Sequence, residues 1–152
     1  MRSRYNKVIF LDIDGVLVNW NYTPEHEVGR LKRTFDPECL QLLEDFLREH
    51  TDVGIILSST WRKTPEGRSD MRRQSPILAE RHRASTGAIL SSRSQEIADY
   101  LDNPRDQITH YVVLDDALID PKLIPSEQVV RTNYHLGIQP HHIERMKEIL
   151  DV

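Results

Sequence analysis

Two aspartates one residue apart, Asp12 and Asp14, stand at the end of an apolar run, Val8 to Leu11, and Gly15 follows them directly. The run predicts a buried strand. If that strand stays extended through Asp14, alternation puts both carboxylates on one side, and Gly15 lets the chain turn just beyond them. Two like charges side by side repel, and a cation between them relieves the repulsion. Two more polar clusters close apolar runs in the same way. Ser58-Ser59-Thr60-Trp61-Arg62 follows Val53 to Leu57, and Asp115-Asp116 follows His110 to Leu114. Carboxylates from separate strand ends can form an oxygen cage for a hard divalent ion. Magnesium (Mg2+) suits such a cage because it needs few protein oxygens and keeps water or phosphate oxygens as its other ligands. Hydroxyl donors and an arginine beside that ion make a site for a phosphoryl group. One aspartate would then be a nucleophile forming an acyl-phosphate. Its neighbour would protonate the leaving oxygen and later deprotonate water.

The histidines point elsewhere. The seven are scattered, with no Cys or His cluster at zinc spacing. His141-His142 opens a helical segment and reads as capping or solvated surface. Cys39, the single cysteine, lies among apolar positions of a predicted helix and reads as a small buried hydrophobe.

These residues need a scaffold that brings strand ends together. Strand-like runs are predicted over Lys7 to Ile13, Val53 to Leu57, His110 to Leu114 and Gln128 to Arg131. Helical patterns lie between and after them. Asp36-Pro37 reads as an N-cap followed by proline in the first turn, and Leu40, Leu43, Phe46 and Leu47 form an apolar stripe behind it. Ser94 to Leu101 and Pro140 to Leu150 carry similar stripes. Strands alternating with helices imply right-handed crossovers and a mostly parallel sheet covered on both faces, an α/β three-layer sandwich of Rossmann type. Ligands in such sheets bind at the carboxyl ends of the strands. Asn19 to Thr34 is expected as a polar loop or hairpin over the site. Trp61 to Arg83 has weak periodicity and no predicted element.

The chain has 152 residues, which fits one domain over 1–152 with a real core. Its net charge of −4 makes it no general magnet for nucleic acid or anionic lipid. No apolar stretch reaches membrane-spanning length, and the basic N-terminus leads straight into the first strand with no signal-peptide pattern. A cytoplasmic location is the expectation, with no membrane and no obligate protein partner.

The ordered set Asp12-Ile13-Asp14-Gly15-Val16, a hydroxyl after the second strand, and Asp115-Asp116 resembles the motif pattern of the haloacid dehalogenase (HAD) superfamily of phosphatases. Ser58 to Arg62, Arg93-Ser94-Gln95-Glu96-Ile97, Tyr111 to Asp116 and the late Gly137 look more narrowly like the HAD domain associated with the Swiss Army Knife RNA repair proteins. The resemblance spans nearly the whole chain. It implies a magnesium-dependent phosphomonoesterase with an aspartyl-phosphate intermediate. Asp12 matches the nucleophile. Asp14 matches the general acid and base, with its backbone carbonyl on the metal. Ser58 matches the hydroxyl that binds the transferring phosphoryl, with Ser59 and Thr60 as neighbours able to fill that role. Arg93 matches the cation set against phosphoryl charge, a position where many relatives carry lysine. Asp115 and Asp116 match the metal-binding pair, Asp116 the preferred contact. Arg62 is the candidate for a second substrate phosphate. Trp61 is either a packing residue beside the site or a stacking platform.

Little chain remains for a cap domain, so an open site is expected, one that admits nucleic-acid ends or nucleotides. Between Arg62 and Arg83, seven basic residues face three acidic ones, enough to steer a polyanion if they stay on the surface. The alternative function is a non-catalytic phosphate-binding or protein-interaction module on the same fold; transfer of the phosphoryl group to an acceptor other than water would use the same residues.

Overall fold

The computed structural model describes residues 6–22, 34–87, 92–102 and 107–152. Five parallel strands form one sheet: β1 Lys7–Leu11, β2 Val53–Leu57, β3 His82–Ser85, β4 His110–Asp115 and β5 Val129–Arg131. Their order across the sheet is β3-β2-β1-β4-β5. The chain moves outward from β1 in one direction, then returns to fill the other side. The reversal lies between β1 and β4, which is where sheets of this kind bind ligands.

Among the described residues, five α-helices cover the sheet: α1 Pro37–Glu49, α2 Pro65–Gln74, α3 Pro76–Arg81, α4 Arg93–Asp102 and α5 Pro140–Leu150. α1 starts as its sequence demands, with the Asp36 carboxylate accepting from Glu38 N at 2.9 Å and proline next in line. Strand alternation divides the core in two. Ile9, Leu11, Ile55, Leu57, Val112 and Leu114 pack with Leu43, Leu47, Leu78, Met146 and Leu150 from α1, α3 and α5. Val8, Phe10, Ile56 and Val113 face the other way, onto Ile97 of α4. Tyr100 and Tyr111 meet the Phe10 ring edge-on at 5.8 and 5.9 Å. Each fully buried Leu, Ile or Phe contributes roughly 1.5–3 kcal/mol, so both layers hold the sheet.

Two sequence expectations are corrected here. The first strand stops at Leu11 rather than Ile13. Gly15 has φ +86° and Asp14 bridges to Val18, so the chain coils back instead of running on extended. The second correction concerns Trp61 to Arg83. It contains a 3-10 turn at Thr60–Lys63, then α2, α3 and the edge strand β3. The helix starts were legible as Thr64-Pro65 and Ser75-Pro76, where each hydroxyl caps its helix. The apolar stripe was not, because α2 buries only Gly67 and Met71. The expected loop over Asn19 to Thr34 lies largely outside the described residues. No helix among the described residues is long and apolar enough to cross a membrane.

Candidate active site at the carboxyl edge of the sheet

The register fixes which residues meet. Leu11 pairs with Leu57 on one side and Leu114 on the other. One residue further on, Ser58 N donates to Leu11 O and Asp12 N donates to Leu114 O, both at 3.0 Å. Asp12, Ser58 and Asp115 therefore stand in one row. They share the parity of Phe10, Ile56 and Val113, so the row faces α4. Arg93 is the first residue of α4, whose N-terminus is held by Ser92: its Oγ accepts from Gln95 N at 3.1 Å. Arg93 Nη1 donates to Asp115 Oδ2 at 2.6 Å and lies 3.3 Å from Asp12 Oδ1.

Oxygens of Asp12, Asp115 and Asp116 all lie within 4.8 Å of one another. One guanidinium against three carboxyl groups leaves the cluster short of positive charge. Burial pushes the Asp12 carboxyl up to about 9, the Asp115 charge adds to this, and Arg93 opposes it. Burial also raises Asp116, with a hydrogen bond from Asp12 working against it. Carboxyl groups crowded this closely favour a proton or a cation among them. An all-oxygen donor set of this density fits a hard divalent cation. Asp115 is the more committed member: fully buried, with Oδ2 on Arg93 and Oδ1 accepting from Ala117 N at 2.9 Å. Asp116 is half-buried and more accessible.

Asp14 does not join the three. Because the chain turns after Asp12, the Asp14 carboxylate faces the loop after β2, where Trp61 Nε1 donates to it at 3.3 Å. The carboxyl groups that crowd are those of Asp12, Asp115 and Asp116, not those of Asp12 and Asp14. Ser58 is fully buried, and its Oγ has no hydrogen-bond partner. An orphaned buried hydroxyl costs about 1–3 kcal/mol, and a phosphoryl oxygen would satisfy it.

A family model described as the HAD domain in Swiss Army Knife RNA repair proteins matches residues 8–143. The chain belongs to this family. No curated protein and no solved structure matches it. The five-stranded parallel sheet with helices on both faces is the Rossmann-like fold of HAD proteins, and membership makes the chain a HAD-type hydrolase in general class.

Within this HAD domain the remaining sequence candidates separate. Arg62 is buried, and its guanidinium is consumed internally. Nε donates to Thr86 O at 3.0 Å, Nη1 to Ser58 O and Ser59 O at 3.2 and 2.7 Å, and Nη2 to Gly87 O at 3.2 Å. Nη2 also forms an ion pair with buried Glu96 of α4. The expectation that Arg62 grips a second substrate phosphate is thus corrected: it ties the loops after β2 and β3 to α4. Ser59 is buried and its Oγ caps the 3-10 turn by accepting from Trp61 N at 3.2 Å. Thr60 is exposed at the start of that turn. Trp61 is 7% exposed and packs on Phe35 at 5.5 Å, so it is a packing residue beside the site.

The basic run loses Arg81 to the interior in the same way, whereas Arg73 stays on the surface. The Arg81 guanidinium is buried on the carbonyls of Leu47, His50 and Val53, and Arg73 pairs with Asp70 at 2.5 Å. His142, read as capping, accepts from Gln139 N through Nδ1 at 2.9 Å at the start of α5.

Two residues escaped the sequence reading. Thr86 N donates to Leu57 O at 3.0 Å, which extends the row by one place beyond Ser58, and its buried Oγ1 also lacks a partner. Its signal was present in Ser85-Thr86-Gly87, a second hydroxyl run after a strand. Thr132 ties the far side together: its N donates to Asp115 O at 2.9 Å and its Oγ1 to Gly15 O at 2.6 Å.

Proposed function

We propose that this HAD domain is a magnesium-dependent phosphomonoesterase that works through an aspartyl-phosphate on Asp12, with nucleotides or nucleic-acid ends as its substrate class. The observation that carries the reading is the packing of three carboxyl groups within 4.8 Å beside one arginine, Arg93. A structural role alone gives no reason to gather that much like charge.

Asp12, Asp115 and Asp116 would hold the ion, with the Asp14 carbonyl as a fourth oxygen by family resemblance. When bound, magnesium supplies positive charge that lets a phosphate dianion approach the carboxylates and polarises its oxygens. The chain's own groups supply the rest. Arg93 offsets negative charge on the phosphoryl oxygens. The Ser58 hydroxyl donates to one of them and gains the partner it lacks. Asp12 attacks phosphorus in line and forms an O–P bond as the bond to the leaving oxygen breaks. Asp14 gives that oxygen a proton, then takes one from the water that attacks phosphorus, which releases phosphate and restores Asp12. The Trp61 indole fixes the Asp14 carboxylate for both steps.

The test is phosphate release from 4-nitrophenyl phosphate with and without magnesium, for the unsubstituted chain and Asp12→Asn. Turnover should need the metal and disappear in the variant. Turnover that persists in either control counts against the proposal, and tight phosphate binding with no turnover favours a non-catalytic phosphate-binding module.

A further inference from the structure

Beside the acidic cluster lies a groove of about 650 Å3 that the chemistry above leaves unused. Asp116 lines it together with Arg131, Tyr134, His135, His141 and His142. Its wall is the segment after β5, anchored to both acidic strand ends through Thr132. Gly137, at φ +69°, seats this segment on the β1 loop so closely that a β-carbon there would stand 2.6 Å from Val16 O. The wall is therefore fixed relative to Asp12 and Asp116.

Trp20 stands against the wall segment, beside Tyr134 and His135. Its N donates to Tyr134 O at 2.9 Å, and Asn21 N donates to His135 O at 3.2 Å. The indole lies 6.5 Å from the Tyr134 ring and 6.4 Å from the His135 ring, yet is 60% exposed. Tyr134 is 39% exposed. A backbone pairing thus holds a patch of aromatic surface in water next to a candidate reaction centre, which is the kind of exposure that marks a binding surface.

The lining selects the ligand. Among the described residues, Asp116 and Arg131 are the only Asp, Glu, Lys or Arg of its lining, and Leu136 is the only large aliphatic one. An acyl chain would find rings and amides instead of hydrocarbon. Planar rings with amide edges from Asn133 and Gln139 suit a flat heteroaromatic ring, and the volume is that of a small-molecule site. Burial and neighbouring His141 lower the His142 pKa, and its Nδ1 accepts from Gln139 N, so the ring is a fixed part of the wall. Arg131 is positioned by its Nε, which donates to Asp116 O at 3.1 Å.

We infer that this groove binds the nucleobase of a phosphorylated nucleoside or oligonucleotide end, held against the aromatic patch of Tyr134, His135 and Trp20, with Arg131 pairing to a neighbouring phosphate or ribose oxygen. The inference rests on the phosphatase reading for where the scissile phosphate sits, and it assigns the leaving-group side of the same site.

Binding is measured on Asp12→Asn with magnesium present, by calorimetry and tryptophan fluorescence. The probes are adenosine 3′-monophosphate, adenosine 5′-monophosphate, ribose 5-phosphate and phosphotyrosine. At least one nucleotide should bind about tenfold or more tightly than ribose 5-phosphate and quench the fluorescence. That advantage should vanish in Tyr134→Ala and in Trp20→Ala. Equal affinity for nucleotide and ribose phosphate overturns the inference, as does an advantage that survives both substitutions. Tighter binding of phosphotyrosine than of either nucleotide overturns it in favour of a protein substrate. If a variant fails to fold, ring-proton shifts of His135 and His141 on adding nucleotide but not ribose phosphate decide the question in its place, and their absence overturns it. Hydrolysis of 4-nitrophenyl phosphate by the unsubstituted chain is read separately. Its failure counts against the phosphatase, whereas a flat titration counts against the groove alone.

Discussion

Gly15 and Asp116 pack so closely that only a hydrogen fits between them. A β-carbon on Gly15 would overlap the carboxyl group of Asp116, and the backbone at Gly15 sits at φ +86°, where L side chains are strained. The glycine after the two aspartates thus does more than turn the chain. It clears the space in which an acid from a distant strand end meets Asp12.

Gly15→Ala should accordingly cost more function than stability. The left-handed backbone alone adds about 1–2 kcal/mol, visible in a melt. Displacement of Asp116 should lower magnesium affinity and phosphatase activity well beyond that loss. Unchanged magnesium affinity by calorimetry would show that Asp116 is not a ligand.

The metal-free protein should lose stability as pH rises. Asp12 has a folded pKa of about 9 against an ordinary 3.8, so between those values the folded state holds a proton that the unfolded state has released. Asp116 shifts in the same direction. Their stabilising contribution is complete below about pH 4 and is lost progressively up to about pH 9. Melting temperatures in a chelator should fall across that window, apart from other titrating groups. Asp12→Asn should flatten the slope, and magnesium should restore stability at the alkaline end. A slope identical in the variant would refute the account of Asp12.

Ser58→Ala should separate stability from activity by sign. Removing a buried hydroxyl that has no partner relieves a cost of about 1–3 kcal/mol, offset in part by the small void left behind. The melting temperature should hold or rise while turnover falls. Thr86→Val tests the next place in the row: a gain in stability with full activity would confine the phosphoryl contact to Ser58. A Ser58→Ala protein that melts earlier would mean the hydroxyl is already satisfied in the folded chain.

Glu96→Gln and Arg62→Met should each behave as structural lesions. Removing one partner of a buried ion pair costs about 3–5 kcal/mol, and Arg62 also holds four carbonyls. Chemical denaturation should show the loss, with KM for a small phosphate little changed in the protein that stays folded. A large rise in KM at unchanged stability would return Arg62 to the substrate site.

Most of the fold was legible because it is encoded in local patterns. Val53 to Leu57 is unbroken by charge, and Asp36-Pro37 and the apolar stripe behind it suffice to place α1. β3 was not legible. It is a four-residue edge strand, His82–Ser85, with every residue half-buried, so it lacks the apolar run that announces β2. Arg62 and Arg81 misled for a related reason. An arginine's sequence neighbours do not reveal which carbonyls or carboxylates will surround it.

The sequence by itself determined which chemistry was present: acids after the first and third apolar runs, hydroxyls after the second, and a glycine where the chain must turn. Those are matters of residue type and short-range spacing. Only the tertiary structure decided which of them meet. Strand register and the turn at Gly15 set Asp12 against Asp115 and Asp116 and sent Asp14 to Trp61, because pairing between strands dozens of residues apart is fixed by packing of the whole sheet and leaves no local trace.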